Sequence, residues 1–208
     1  MAKEFNDGAG EGLFASTPPL EALRFLLSEA ATVDDGSPAG PPEEVARGDI
    51  EEEKGLEEKV LMINDVSRAF FEAPVKRNLC VELPPEEGAG PDEVGWLKQS
   101  LYGTRDASAN FQEEVRVVLT RAGFAQVKYN PSLYYHPKRH IRTLVHGDDF
   151  SSVGSSQALK WLRVMLEARF EISTKVVGQG PGTVKEARLL NRIIRRTEDG
   201  WEYEADQR

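Results

Sequence analysis

Apolar residues gather along the chain in short blocks whose spacing alternates between helical and strand-like. "PPLEALRFLLSEAAT" (18–32) sets Leu20, Leu23, Phe25, Leu26, Leu27 and Ala30 on a broad helical face, and Pro18-Pro19 is a common helix entry. "KVLMINDV" (59–66) is a compact apolar run that predicts a buried strand ending at Asp65. "NLCVELP" (78–84) predicts another strand, stopped by Pro84-Pro85. "DASANFQEEVRVVLTRAG" (106–123) predicts a helix with Asp106 as N-cap and Gly123 as C-cap. Ala107, Phe111, Val115, Val118 and Ala122 form its inner face.

"SLYYH" (132–136) and "IRTLV" (141–145) predict strands around a "PKR" turn, and "FSSV" (150–153) pairs back after an acidic turn. "SSQALKWLRVMLEARF" (155–170) predicts a second amphipathic helix, with Ser155 or Ser156 as cap and Ala158, Leu162, Met165 and Leu166 inward. "RLLNRIIRR", "TEDG" and "WEYEA" predict a terminal hairpin. The expected class is α+β, a small, mainly antiparallel sheet backed by helices.

Composition divides the chain. Residues 1–16 are Gly-rich and polar and are expected to be loose. Residues 17–32 hold the first helix, 33–58 form an acidic Gly/Pro-rich insertion, and 59–208 form the main domain. The net charge of −9 belongs to the first part: residues 1–60 carry 5 Lys and Arg against 15 Asp and Glu, and the remainder carries 21 against 20. A near-neutral main domain leaves room for a local basic surface, while the acidic balance argues against strong nonspecific DNA binding by the whole chain. Cys80 is the single cysteine, which excludes an intramolecular disulfide and a Cys-built zinc site and predicts a reducing, intracellular setting. No apolar run approaches the ~20 residues that span a bilayer, and the N-terminus lacks the apolar core of a signal peptide. No membrane partner is expected.

The candidate chemistry lies in "LVHGDDF" (144–150), where Asp148 and Asp149 follow an apolar strand. Adjacent carboxylates repel, and burial adds to the cost. A turn would place both at an exposed tip, free to bind a hard cation. Asp also favours ordinary turns, so this feature alone is weak. Asp65 strengthens it: a third carboxylate ends an apolar strand, followed by the aromatic pair of "INDVSRAFF". Carboxylates converging from separate strands can hold two divalent ions ~4 Å apart, the arrangement that phosphoryl transfer uses.

Four blocks, in order, carry a family resemblance: "PPLEALRFLLSEAA", "DVSRAFFEAPVKRNLCVELPPE", "WLKQSLYGTRDASANF", and "GFAQVKYNPSLYYH" followed by "LVHGDDF". Together they resemble the reverse transcriptase domain of copia-type retrotransposon Pol polyproteins, over residues 18 to about 175. The resemblance implies a right-hand polymerase palm with partial fingers and an RNA-directed DNA polymerase activity. Asp65, Asp148 and Asp149 would be its catalytic residues and the ligands of two Mg2+ ions, with Mn2+ as the substitute. Phe70 would exclude a 2′-hydroxyl, and Tyr102 and Gly103 would shape the nucleotide pocket. Implied partners are an RNA or DNA template with primer, deoxynucleoside triphosphates, and the rest of a Pol polyprotein with integrase and RNase H.

Two departures stand out. His146-Gly147 replace the family's Tyr-Val before the paired aspartates, and Asp106-Ala107-Ser108 replace its Gln-Ala-Pro. Thumb, connection and RNase H regions are not recognised, so the chain is expected to be a fragment, with little activity in isolation. The competing reading is a catalytically inactive, element-derived remnant that serves as a binding or interaction module. A two-metal nuclease needs only the acidic residues, and the "SLYG" block argues against it. His146 reads as a sheet-face residue. Arg192, Arg195 and Arg196 read as a solvated strand face, with phosphate contact the lesser alternative.

Overall fold

The computed structural model describes residues 15–32, 58–88, 90 and 92–205. The expected loose N-terminus and acidic insertion therefore lie, but for residues 15, 16 and 58, outside the described residues.

The described chain is a mixed α+β structure. Its centre is a six-stranded antiparallel sheet in the order β4 (Ala125–Val127), β5 (Asn130–His136), β6 (Ile141–His146), β7 (Asp149–Ser155), β1 (Lys59–Val66), β8 (Ile172–Val177). Helix α1 (Leu20–Ala30) precedes β1. Helix α2 (Ala107–Arg121) lies between β1 and β4 in sequence, and α3 (Ser156–Glu167) joins β7 to β8. Leaving aside the edge pair β4–β5 and a separate two-stranded ribbon inserted between β1 and α2, the succession β1-α2-β6-β7-α3-β8 is a split β-α-β-β-α-β unit with strand order β6-β7-β1-β8.

The middle of β1, Val60–Ile63, is an unbroken apolar run because both faces of the strand are covered. Val60, Met62 and Val66 pack with Phe111, Val115 and Leu119 of α2 and Leu159, Leu162 and Leu166 of α3. Leu61 and Ile63 pack on the other face with Leu23, Leu26 and Leu27 of α1. That second face is completed by a three-stranded sheet of β9 (Glu186–Leu189), β10 (Arg192–Arg196) and β11 (Trp201–Ala205), which contributes Ala187, Leu189 and Ile194. The expected terminal hairpin is present as β10 and β11, and β9 extends it to a sheet of three strands.

Capping follows the sequence in two of three places. Ser155 Oγ accepts the Ala158 N–H at 3.3 Å and starts α3. Gly123 (φ +97°) ends α2 in a Schellman motif: Gly123 N–H donates to the Thr120 carbonyl and Phe124 N–H to the Leu119 carbonyl, both at 3.0 Å. Asp106 occupies the N-cap position of α2, but its side chain makes no capping bond. The inner face of α2 also differs: Asn110 and Leu119 are buried, whereas Val118 and Ala122 only flank the core. On α1, Leu20 and Phe25 face solvent. Helical spacing sets a face only to within a residue, and the sheet covers a narrower stripe than the sequence offers. "NLCVELP" forms only a short strand, β2 (Cys80–Glu82), paired with β3 (Val94–Trp96) in a separate ribbon.

Candidate acidic site at the end of β1 and β7

The site begins with strand register. Asp65 on β1 pairs directly with Asp149 on β7, Asp149 pairs with His146 on β6, and Asp65 pairs with Ser173 on β8. Side chains alternate along a strand, so this row shares the face of Leu61, Ile63, Leu144 and Val153, the α1 side of the sheet. The Val66 N–H donates to the Asp148 carbonyl at 3.1 Å, which makes the neighbouring Asp65–Asp149 pair a non-hydrogen-bonded one. Side chains of such pairs stand closest, with Cβ atoms about 4.5–5.5 Å apart.

The turn that delivers Asp149 contains two residues, Gly147 and Asp148. Gly147 has φ +62°, and Asp148 is not among the positive-φ residues, which is the type II′ pattern with glycine at the first central position. Gly147 therefore serves the hairpin, because the first central position of that turn takes a positive φ. Asp148 sits at the exposed tip as expected. Asp149 does not: it is the first residue of β7 and half-buried, while Asp65 is exposed.

Burial pushes the Asp149 carboxyl above its ordinary value; the charges of Asp148 and Asp65 add to the rise, and His146 opposes it. The charges of Asp65 and Asp148 thus both act on Asp149. Their oxygen donors suit a hard divalent ion. Among the described residues, however, no three His, Cys, Asp or Glu side chains converge closely enough to form a ready-made ion site.

The 3₁₀ turn Ala69–Glu72 follows β1 and carries both phenylalanines. Phe70 is half-buried against the α2–α3 core, with its ring centroid 4.4 Å from Tyr102 and 6.4 Å from Phe111. Phe71 is 41% exposed and meets Tyr102 edge-on at 5.6 Å. Tyr102 thus joins the "SLYG" block to the turn after β1. Gly103 follows it with φ +99°.

Asp106 has a structural occupation. It is 5% exposed, its Oδ1 accepts Arg77 Nη2 at 2.8 Å, and its Oδ2 accepts Asn110 Nδ2 at 3.1 Å. The Arg77 hydrogen bond holds its carboxyl below the ordinary value against the effect of burial. Asn110 also donates to Ser100 Oγ, and Ser100 N–H donates to the Ala73 carbonyl, so one buried network ties the "SLYG" block to α2 and to the chain after the aromatic turn. Arg195 is surrounded by Glu186, Glu202 and Glu204, Arg196 pairs with Glu58, and Arg192 lies over the Tyr203 ring. The face is ion-paired as expected, but it is half-buried where a solvated one was expected.

Several partners escaped the sequence reading: Ser173 beside Asp65, Arg77 with Asp106, and Ser100 with Asn110. Each meets its partner only through the fold, and no local pattern marks it. No helix among the described residues is long and apolar enough to cross a membrane. In comparison with known proteins, no family model matches the chain, and no curated protein matches it.

Proposed function

We propose that this chain is a reverse-transcriptase-like palm, similar to those of copia-type retrotransposons, and that its chemistry is template-directed nucleotidyl transfer. The observation that carries the reading is the Asp65–Asp149 pair: two carboxylates opposed on one sheet face, with Asp148 at the adjoining turn. Such a pair costs stability when nothing binds it. The split β-α-β-β-α-β unit agrees with a palm, although that topology hosts many functions and supports the reading only by analogy.

In this reading Asp65, Asp148 and Asp149 hold two divalent ions. When bound, these ions supply positive charge to the entering and leaving oxygens of phosphoryl transfer. The row from His146 to Ser173 forms the floor of the site, and Phe70 packs with Tyr102 in the turn that follows β1. The test is single-nucleotide extension of a primer–template with Mg2+ or Mn2+. Weak, non-processive addition that Asp149→Asn abolishes supports the reading. Failure of the parent chain to bind deoxynucleotide in the presence of either ion would overturn it.

A second reading, a palm-type remnant kept as an interaction module, is consistent with the lack of a converged group of ligands among the described residues. It predicts nucleic-acid or protein binding that is indifferent to divalent ions and to Asp149→Asn.

A further inference from the structure

We propose that Arg169 is a positioning residue for the aromatic turn: its guanidinium fixes the far end of the Ala69–Glu72 turn and so holds Phe70 against Tyr102. The link from that turn to a nucleotide pocket rests on the proposed function; the clamp does not.

Arg169 lies between α3 and β8. Its Nη1 donates to Glu72 Oε2 at 2.8 Å and its Nη2 to the Glu72 backbone carbonyl at 2.5 Å. Nη2 and Nε also reach Glu114 Oε1 on α2, at 3.0 and 3.2 Å. One planar group therefore joins the aromatic turn, α2 and the end of α3. The near end of the turn hangs on the same junction, because the Ser67 N–H donates to the Glu171 carbonyl at 2.8 Å. The segment between these anchors contains Arg68 at φ +53°, an uncommon conformation for a side chain of that size. It persists only where the surroundings over-determine it.

The turn's internal bonds are modest. Phe71 N–H donates to the Arg68 carbonyl at 2.9 Å, and Ala73 N–H to the Phe70 carbonyl at 3.2 Å. A 3₁₀ turn of four residues has little stability of its own, so its shape depends on what grips its ends. Charge-assisted, forked bonds are the strong kind, and lysine, a point charge, cannot serve Glu72 and Glu114 together in this plane. Beneath the clamp, Phe170 packs on Phe111 at 5.9 Å and on Phe150, the neighbour of Asp149, at 6.3 Å. The anchor is therefore continuous with the core beneath the acidic row.

Amide hydrogen exchange on the full chain tests the clamp. Arg169→Gln should speed exchange at Phe71 and Ala73 about tenfold or more and weaken the Phe70–Tyr102 ring contacts, with Val66 N–H as protected as in the parent. Arg169→Lys should recover only part of the loss. Arg163→Gln, which removes the Arg163–Glu167 pair on α3, should leave the turn unchanged. Parental protection at Phe71 and Ala73 in Arg169→Gln, or equal acceleration at Val66, would overturn the proposal. If Arg169→Gln does not fold, the same comparison on Arg169→Lys decides it. A second arm titrates dATP with Mg2+ and follows the Phe70 and Tyr102 ring resonances, with weaker dATP binding expected in Arg169→Gln. If the exchange results hold and dATP leaves the parent's rings unmoved, the clamp stands and the polymerase reading falls.

Discussion

Asp65 and Asp149 face each other across β1 and β7 as a non-hydrogen-bonded pair, the closest spacing that a sheet gives two side chains. Half-burial of Asp149 and the charge of Asp148 add to their repulsion. A fold that keeps such a pair gives up stability in its unliganded form.

In divalent-free buffer at neutral pH, Asp149→Asn should stabilise the protein by about 0.5–1 kcal/mol, roughly 1–4 °C in Tm. The folded state holds the Asp149 proton more tightly than the unfolded state does. The associated stability is present at low pH and is lost as pH rises through the raised folded value. Melting curves of parent and variant over acidic and neutral pH should therefore diverge as pH rises. A variant less stable than the parent at neutral pH would mean that Asp149 has a stabilising partner.

Phe70 and Phe71 should separate in the order set by their burial. Phe70 is the ring packed on Phe111 and Tyr102, and Phe71 is largely exposed. Phe70→Ala should cost about 2–3 kcal/mol and Phe71→Ala under about 1 kcal/mol in chemical denaturation, below the range for fully buried rings. On the polymerase reading, Phe70→Ala also relaxes discrimination against ribonucleotides, so sugar selectivity must be read well below the melting point of the variant.

Asp106→Ala should cost about 2–3 kcal/mol, because it removes a charge-assisted bond to Arg77 and a buried acceptor for Asn110. With its carboxyl held low in the fold, the contribution of Asp106 is present above the unfolded value and is lost as pH falls through the folded one. Acid titration of stability should show that loss in the parent and not in the variant.

His136 supplies a separate pH signature. It is buried, with its ring centroid 5.0 Å from Phe124 and 5.3 Å from Trp161. Burial pushes its pKa down, the Ala122 carbonyl pulls the other way, and Arg139 and Lys138 add to the fall. The unfolded chain therefore takes up a proton first, and stability should decline as pH falls below about 6.5 toward the depressed folded value. His136→Gln should flatten that part of the profile; an unchanged slope between the two would assign it to other groups.

Much of the framework was legible because it is local. The unbroken apolar run of β1 announced a strand covered on both faces, and Gly123 and Ser155 marked helix ends by their own backbone chemistry. Asp65 showed as a carboxylate ending an apolar strand, but its pairing with Asp149 depends on a register between strands more than eighty residues apart. β4 and β8 were missed because their exposed and half-buried residues alternate without an apolar run. Asp106 misled for a physical reason: its position marks a cap, whereas Arg77, far away in sequence, claims the side chain.

The central claim is that the Asp65–Asp149 row binds divalent ions, and Mn2+ titration followed by paramagnetic broadening of amide resonances tests it most directly. The account predicts broadening centred on residues 64–67 and 146–150, displaced by excess Mg2+ and abolished by Asp149→Asn. Broadening elsewhere, such as at Glu186, Glu202 and Glu204, or broadening indifferent to Asp149→Asn, would contradict it.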